Sequence, residues 1–121
     1  MKYMLLCYDD EQGWAQAGKA ALEAAMQEAV ALTHEIHAKG QYLEAAPLEP
    51  ASMAASVRVR DGKLQVTDGP FVETREVLGG YYLIDVENLD EAIRIAEQHP
   101  GARLGTVEIR PVVELPGLPT S

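Results

Sequence analysis

Two short apolar runs, at residues 3–8 and 79–86, constrain the fold of this chain more than any other feature of its sequence. Runs of this length are typical of strands that lie in the middle of a sheet and are covered on both faces. Neither run approaches the ~20 apolar residues that a helix needs to span a membrane. We therefore expect a small sheet built around these two central strands.

A helical pattern follows each of the two runs. Residues 17–39 are rich in alanine, which favours a helix. Their apolar residues recur at spacings of three and four, and the predicted buried face is Leu22, Met26, Ala29, Val30, Thr33 and Ile36. Residues 88–98 predict a second helix, capped by Asn88 with Glu91 three residues later. Its predicted buried face is Leu89, Ala92, Ile93 and Ala96.

A predicted hairpin separates the two halves of the chain. Asp61-Gly62 lies between the alternating runs 57–60 and 64–67, and this dipeptide is a strong hairpin signal. With weaker strands at 41–45 and 105–113, the order is strand, helix, strand, repeated once. We therefore predict an α+β fold, a ferredoxin-like βαββαβ domain with an inserted hairpin. Both faces of the central strands are apolar, so a homodimer is expected to cover the face without helices.

The charge of the chain narrows the range of partners. It has 121 residues and a net charge of −9, from 19 acidic and 10 basic residues. Such a charge argues against binding to nucleic acid or to an anionic membrane surface. The length predicts one domain, over residues 1–113, with a flexible C-terminal tail at 114–121. The N-terminus lacks the pattern of a signal peptide, so a cytoplasmic location is expected.

The residues that commonly bind metals are few. Cys7 is the single cysteine, which excludes an intrachain disulfide and a cysteine zinc cluster. His34 and His37 are neighbours on the predicted first helix, but the spacing and further ligands of a known metal motif are absent. We therefore predict no metal and no other cofactor. His99, next to Pro100, is expected to be a cation at a helix C-terminus.

Residues 67–81 form the most distinctive motif, Thr-Asp-Gly-Pro-Phe-Val-Glu-Thr-Arg-Glu-Val-Leu-Gly-Gly-Tyr. This motif resembles the DGPF family, within the group called YCII-related. The segments 1–6, 57–63, 89–92 and 107–111 resemble it too, so the resemblance covers nearly the whole chain. It implies a ferredoxin-like domain that dimerises through its sheets as an α/β barrel. DGPF-like proteins are often linked with alternative sigma factors, so the resemblance also implies a regulatory partner of that type.

Two interpretations of this motif stay open. In the structural one, Asp68, Gly69 and Pro70 form a turn and Phe71, the only phenylalanine, fills the core. In the functional one, the loop meets the first predicted helix at a cleft. The catalytic candidates are then the carboxylates of Asp68 and Glu73. The ligand-binding candidates are Thr74, Arg75 and His37.

Two functions follow from these observations. The first is a module that binds a small molecule and regulates transcription through a protein partner, without contact to DNA. The second is a lyase or hydrolase that acts on a small acid through a carboxylate in a cleft. Some YCII-related enzymes use a His–Asp pair, but their histidine falls near Ala29 in this chain. The binding module is therefore preferred.

Overall fold

A four-stranded antiparallel sheet forms the centre of the protein. The computed structural model describes residues 1–119. Its strands are β1 (Lys2–Asp9), β2 (Tyr42–Pro47), β3 (Ala55–Arg60), β4 (Lys63–Asp68), β5 (Val77–Asp85) and β6 (Thr106–Pro111). Its helices are α1 (Glu11–Ala17), α2 (Lys19–Ala38), α3 (Leu89–Gln98) and α4 (Gly101–Leu104), with one 3-10 turn at Ala51–Met53.

The order of the strands agrees with the fold expected from the sequence. The main sheet runs β2-β5-β1-β6, and the two predicted apolar runs are the central strands β1 and β5. Strands β3 and β4 pair with each other as a separate hairpin. This confirms a mixed α+β fold, and the topology is consistent with a ferredoxin-like domain. None of the helices in residues 1–119 has the length and apolar character that a membrane span requires.

The core lies between one face of this sheet and the helices. Leu5 on β1 faces Tyr82 on β5, and Ile36 of α2 covers them from the helix layer. Leu5, Ile36 and Ile84 are the largest side chains that are almost completely buried. On the opposite face of the same two strands, side chains such as Leu6 and Tyr81 are only partly buried.

The predicted faces of both long helices need correction. In α2 the buried residues are Ala25, Leu32 and Ile36, whereas Met26 and Val30 are both 56% exposed. In α3, Ile95 is buried and Ile93 is 47% exposed. Both helices carry apolar residues on two adjacent stripes, each with helical spacing. The periodicity alone could not tell which stripe faces the sheet, since the packing of the helix on the strands decides this.

The hairpin turn and the start of α3 lie where the sequence predicts them. Asp61 and Gly62 have φ values of 52° and 74°, which is the backbone of a tight hairpin turn. Asn88 caps α3, since its side chain accepts a hydrogen bond from the Glu91 backbone N at 3.0 Å. Both predictions are confirmed.

The short helices α1 and α4 were not expected. Directly after β1, the Asp10 side chain accepts hydrogen bonds from the backbone N–H groups of Gln12 and Gly13 and so begins α1. The helix predicted over residues 88–98 ends at Gln98 as expected, and α4 is an additional short helix that begins directly after Pro100. The last strand ends at Pro111 rather than at residue 113. Of the predicted tail, residues 120 and 121 lie outside the described part of the chain.

Phe71 does not fill the core. Its side chain is 72% exposed, in a loop between the hairpin and β5. The expectation rested on the rarity and size of this residue, and the loop instead carries it out into solvent. The core positions beside β5 are filled by residues of the helices and of the sheet itself.

Two substitutions test this assignment of the core. Ile84→Ala should lower the free energy of unfolding by about 2–5 kcal/mol, because it empties a fully buried site on the central strand. Phe71→Ala should change it by less than about 0.5 kcal/mol, because little surface is buried there. Chemical denaturation followed by circular dichroism measures both. Equal losses in the two variants would contradict the placement of Phe71.

Candidate functional site

The first half of the DGPF-like motif braces the base of the hairpin. Asp68 is the last residue of β4 and pairs with Ala55. The Gly69 backbone N donates to the Ala54 carbonyl, and the Ser56 hydroxyl donates to the Gly69 carbonyl at 2.9 Å. Gly69 has a φ of 90°, which is strained for residues with a side chain. The observed contacts of this segment are therefore those of a turn, and the Asp68 side chain is exposed.

The second half of the motif joins the loop to α1. The Arg75 side chain donates from Nε to Asp10 Oδ2 at 3.2 Å. The pKa of Asp10 is lowered, first by the hydrogen bond from the Gly13 backbone and then by Arg75. Thr74 donates its hydroxyl to the Glu76 carbonyl, and Glu73 is exposed. The loop thus meets the unexpected helix α1, and not the long helix at which the site was predicted.

His37 lies far from this loop. It is in the last turn of α2, where its ring makes an edge contact with Tyr42 at a centroid distance of 5.8 Å. Tyr42 pairs with Ile84 near the end of β5, whereas the loop enters the sheet at the start of β5. The structure therefore does not bring the five candidate residues, Asp68, Glu73, Thr74, Arg75 and His37, together in one site.

An acidic cluster that the sequence analysis missed lies at this same end of the sheet. The pKa of Asp9 is raised, mainly by burial and then by the nearby carboxylates of Glu11, Asp10 and Glu76. Glu76 Oε1 is buried without a hydrogen-bond partner. A Cβ atom at Gly79 would lie 2.6 Å from Asp9 Oδ2, so a side chain there would require the Asp9 carboxylate to shift. The signal available in the sequence was the run Asp9-Asp10-Glu11 directly after an apolar strand.

A shallow, open cleft lies on the helix side of the molecule, between α1, α2 and α4. Its volume is about 550 Å³. It is lined by Trp14, Ala17, Ala21, Ala24, Ala25, Glu28, Pro100, Arg103 and Leu104. The small side chains of α2 leave this space, and Trp14 of α1 forms an aromatic wall. The cleft is therefore largely apolar.

One ion pair supplies the polar end of the cleft. Arg103 of α4 donates from Nη1 to Glu28 Oε1 at 3.3 Å and from Nη2 to Glu28 Oε2. This two-point contact lowers the pKa of Glu28 and raises that of Arg103. The side chain of Glu28 is 44% exposed and that of Arg103 is 61% exposed, so both remain accessible from the cleft.

His99 lies behind this ion pair and is not the expected helix-terminal cation. Burial lowers its pKa and outweighs the opposite effect of Glu28, while Arg103 lowers it further. Its Nδ1 accepts a hydrogen bond from the Gly101 backbone N at 3.0 Å, so this nitrogen carries no proton. Its ring packs edge-on against Tyr82 at 5.4 Å. The prediction of a charged His99 is therefore wrong, because the fold places the ring in the helix–sheet layer.

The family is decided by comparison with known sequences. A model of the YCII-related domain matches residues 1–116. The chain belongs to the YCII-related family. A protein of Rhizobium meliloti (strain 1021), described as uncharacterized, is 38% identical over 114 residues, which span 93% of this chain and 92% of that relative.

The potential metal ligands of this YCII-related domain do not cluster within residues 1–119, and its one thiol is buried. In residues 1–119 no three His, Cys, Asp or Glu side chains are close enough together to hold a metal ion. Cys7 is buried in β1, and burial raises the pKa of its thiol to about 11. A thiol with such a pKa is protonated at neutral pH and is a poor nucleophile. Among the cleft residues, the signal available in the sequence was Trp14, a large aromatic that can line a pocket or a core.

The lowered pKa of His99 predicts a pH dependence of stability. Because the unfolded chain binds a proton at His99 more readily, stability is complete above the ordinary pKa of 6.5 and falls as the pH drops below it. Between pH 7.5 and 5.5 the unfolding temperature of the wild type should fall more than that of His99→Gln. His34→Gln, at an exposed position of α2, is the control and should follow the wild type. Parallel curves for all three proteins would contradict the burial of a neutral His99.

Proposed function

We propose that this chain is a binding module for a small organic acid, which the cleft between α1, α2 and α4 holds. The observation that carries the proposal is the pairing of an aromatic wall, Trp14, with a guanidinium, Arg103, across a cleft of about 550 Å³. Ligand sites are commonly concave, mostly apolar and furnished with a few polar groups that fix orientation. This volume lies within the usual range for small ligands, roughly 300–1,000 Å³.

The chemistry of the cleft fits a ring or short chain that carries one carboxylate. The methyl groups of Ala17, Ala21 and Ala24 and the ring of Trp14 offer apolar surface to the body of the ligand. Arg103 has five N–H donors, and its contact with Glu28 engages two of its nitrogens. The remaining donors can bind a ligand carboxylate, while Glu28 holds the guanidinium in place.

Binding has more support than catalysis. An enzyme of the acid–base kind needs a carboxylate or histidine that is free to exchange a proton with the ligand. Here Glu28 is bound to Arg103, and Nδ1 of His99 is bound to the Gly101 backbone. The alternative, a lyase or hydrolase that uses Asp68 or Glu73, has only exposed carboxylates to work with.

We further propose a regulatory use for the bound state, as the DGPF-like motif suggests. Proteins that carry this motif are often linked with alternative sigma factors. We therefore propose that a protein of that type binds the domain when its ligand is present. The net charge of −9 supports a role without direct contact to DNA, because phosphate groups repel such a chain.

The proposed assembly is a homodimer. In it, the face of the main sheet that carries no helices packs against the same face of a second copy. This open face carries the apolar side chains Met4, Leu6, Tyr8, Tyr81 and Leu83, all partly buried in the single chain. They lie on the two central strands and alternate with the residues that form the core. A second copy of the same face would remove them from water by a two-fold arrangement.

The ligand proposal is tested by the fluorescence of Trp14, the only tryptophan in the chain. Titration with benzoate should change this fluorescence in a saturable way, and benzamide, its neutral analogue, should bind at least about tenfold more weakly. Arg103→Gln should lower the affinity for benzoate by a similar factor, since it removes the charged hydrogen bonds.

Two further variants separate the cleft from the rest of the surface. Ala21→Leu should block the cleft and abolish the titration, while Arg75→Gln, which lies outside the cleft, should bind like the wild type. A fluorescence change that persists at full strength in both Arg103→Gln and Ala21→Leu would contradict the proposed site.

The dimer is tested by placing a charge on the open face. Leu6→Lys should produce a monomer at concentrations where the wild type sediments as a dimer, because a lysine would have to be buried between the two sheets. Met26→Lys introduces the same charge at an exposed apolar position of α2 and should leave the dimer intact. A monomeric wild type in sedimentation equilibrium at 100 micromolar, roughly the upper end of a weak specific association, would contradict the proposal.

A further inference from the structure

The β3–β4 hairpin presents an apolar face to solvent. Its register pairs Val57 with Val66 and Val59 with Leu64, so the four side chains lie on the same face. Their exposed fractions are 63%, 61%, 60% and 68%, respectively. The other face carries polar residues only, namely Ser56, Arg58, Arg60, Lys63, Gln65 and Thr67. The hairpin is therefore amphipathic, and within residues 1–119 its apolar face is open.

The apolar face of the hairpin would be more stable if another surface packed against it. A two-stranded hairpin by itself is marginally stable in water, and it gains stability when its apolar face packs on something. At its base, the hairpin is closed by its own hydrogen bonds, from the Gly69 backbone N to the Ala54 carbonyl and from the Ser56 hydroxyl to the Gly69 carbonyl. Its middle and tip, with the Asp61-Gly62 turn, extend beyond these contacts. Four adjacent aliphatic side chains on one exposed face are a typical mark of an interaction surface.

We propose that this apolar face docks on a second copy of the chain, as an arm that each subunit lays on its partner. The hairpin is inserted between β2 and β5, two strands of the sheet whose open face forms the proposed dimer interface. Strands of six residues extend about 20 Å, and packed sheets lie about 10 Å apart. The arm is therefore long enough to cross from one sheet layer to the other.

Charge favours a second copy over other surfaces. Residues 55–68 carry three cations, Arg58, Arg60 and Lys63, and two carboxylates, Asp61 and Asp68, for a net charge of +1. The whole chain has −9, so the remainder of each copy carries −10 and attracts the hairpin of the other. An anionic membrane would repel the acidic body that comes with the arm.

The area that a stable dimer must bury also supports a second copy of the chain as the partner of the hairpin. Specific interfaces bury about 800 Å² on each partner. The open sheet face offers a narrow apolar strip over two strands, bordered by the charged residues Glu44, Glu108 and Arg110. The four aliphatic residues of the hairpin add apolar area beyond this strip. The arm thus extends the proposed sheet interface.

The inference rests on the proposed dimer, and a matched pair of variants tests it separately. Leu64→Lys and Gln65→Lys add the same charge at adjacent positions of β4, on the apolar and the polar face respectively. Sedimentation equilibrium should show a dimer dissociation constant at least about tenfold larger for Leu64→Lys and within about twofold of the wild type for Gln65→Lys. Val66→Thr, which removes apolar area without adding charge, should weaken the dimer in the same direction.

Unchanged circular dichroism spectra are expected for these variants, because all three positions are exposed in the single chain. A second measurement places the contact directly. In dimers of one methyl-labelled and one unlabelled subunit, isotope-filtered nuclear Overhauser spectra should show contacts from the methyl groups of Val59 and Leu64 to the partner.

Each outcome decides between the two proposals. If Leu6→Lys gives a monomer but Leu64→Lys dimerises like the wild type, the sheet interface stands and the arm is overturned. If Leu64→Lys alone weakens the dimer, the arm stands and the sheet interface fails. A monomeric wild type overturns both proposals, whereas a hairpin face that is covered only by a different protein overturns the arm alone.

Discussion

The pairing of β1 with β5 is the interaction on which the rest of the structure depends. These strands place Leu5 and Ile84 in the centre of the core, where α2 and α3 cover them. The end of β1 leads through Asp10 into α1, and the start of β5 receives the chain that returns from the hairpin. Because both faces of the two strands are apolar, covering one face with helices leaves the other as an incomplete surface. The proposed homodimer rests on this open face of the central strands.

The cleft also arises because one surface is left uncovered by large side chains. A long helix with bulky residues would fill the space between α1, α2 and α4, but α2 presents alanines there. The Arg103–Glu28 pair closes one end of this space with charge, and His99 supports it from the core as a neutral ring. A site built in this way has a fixed cation and apolar walls, and its titratable groups are already bound to one another. The proposal that the cleft binds a small acid rests on these properties.

The DGPF-like segment makes two sets of structural contacts. One set closes the hairpin, and the other joins the loop to the acidic end of the sheet. Gly69 and its neighbours close the hairpin, while Arg75 binds Asp10 beside the carboxylates of Asp9 and Glu76. The segment therefore connects the core to the hairpin, and exposed Phe71 lies between these two anchor points. Turn geometry and one ion pair account for the contacts observed at Gly69 and Arg75 in this segment.

The sequence by itself determined the features that depend on neighbouring residues. The Asp61-Gly62 turn, the Asn88 cap, the central strands and the α+β order all follow from bonds or patterns within a few positions, and the family follows from the motif. Only the tertiary structure decided which stripe of each helix is buried, that Phe71 is exposed, and which residues form the cleft. Arg103 and Glu28 are 75 positions apart in the chain. Contacts of this kind depend on how packed layers bring distant segments together, and no local pattern of charge or hydrophobicity specifies them.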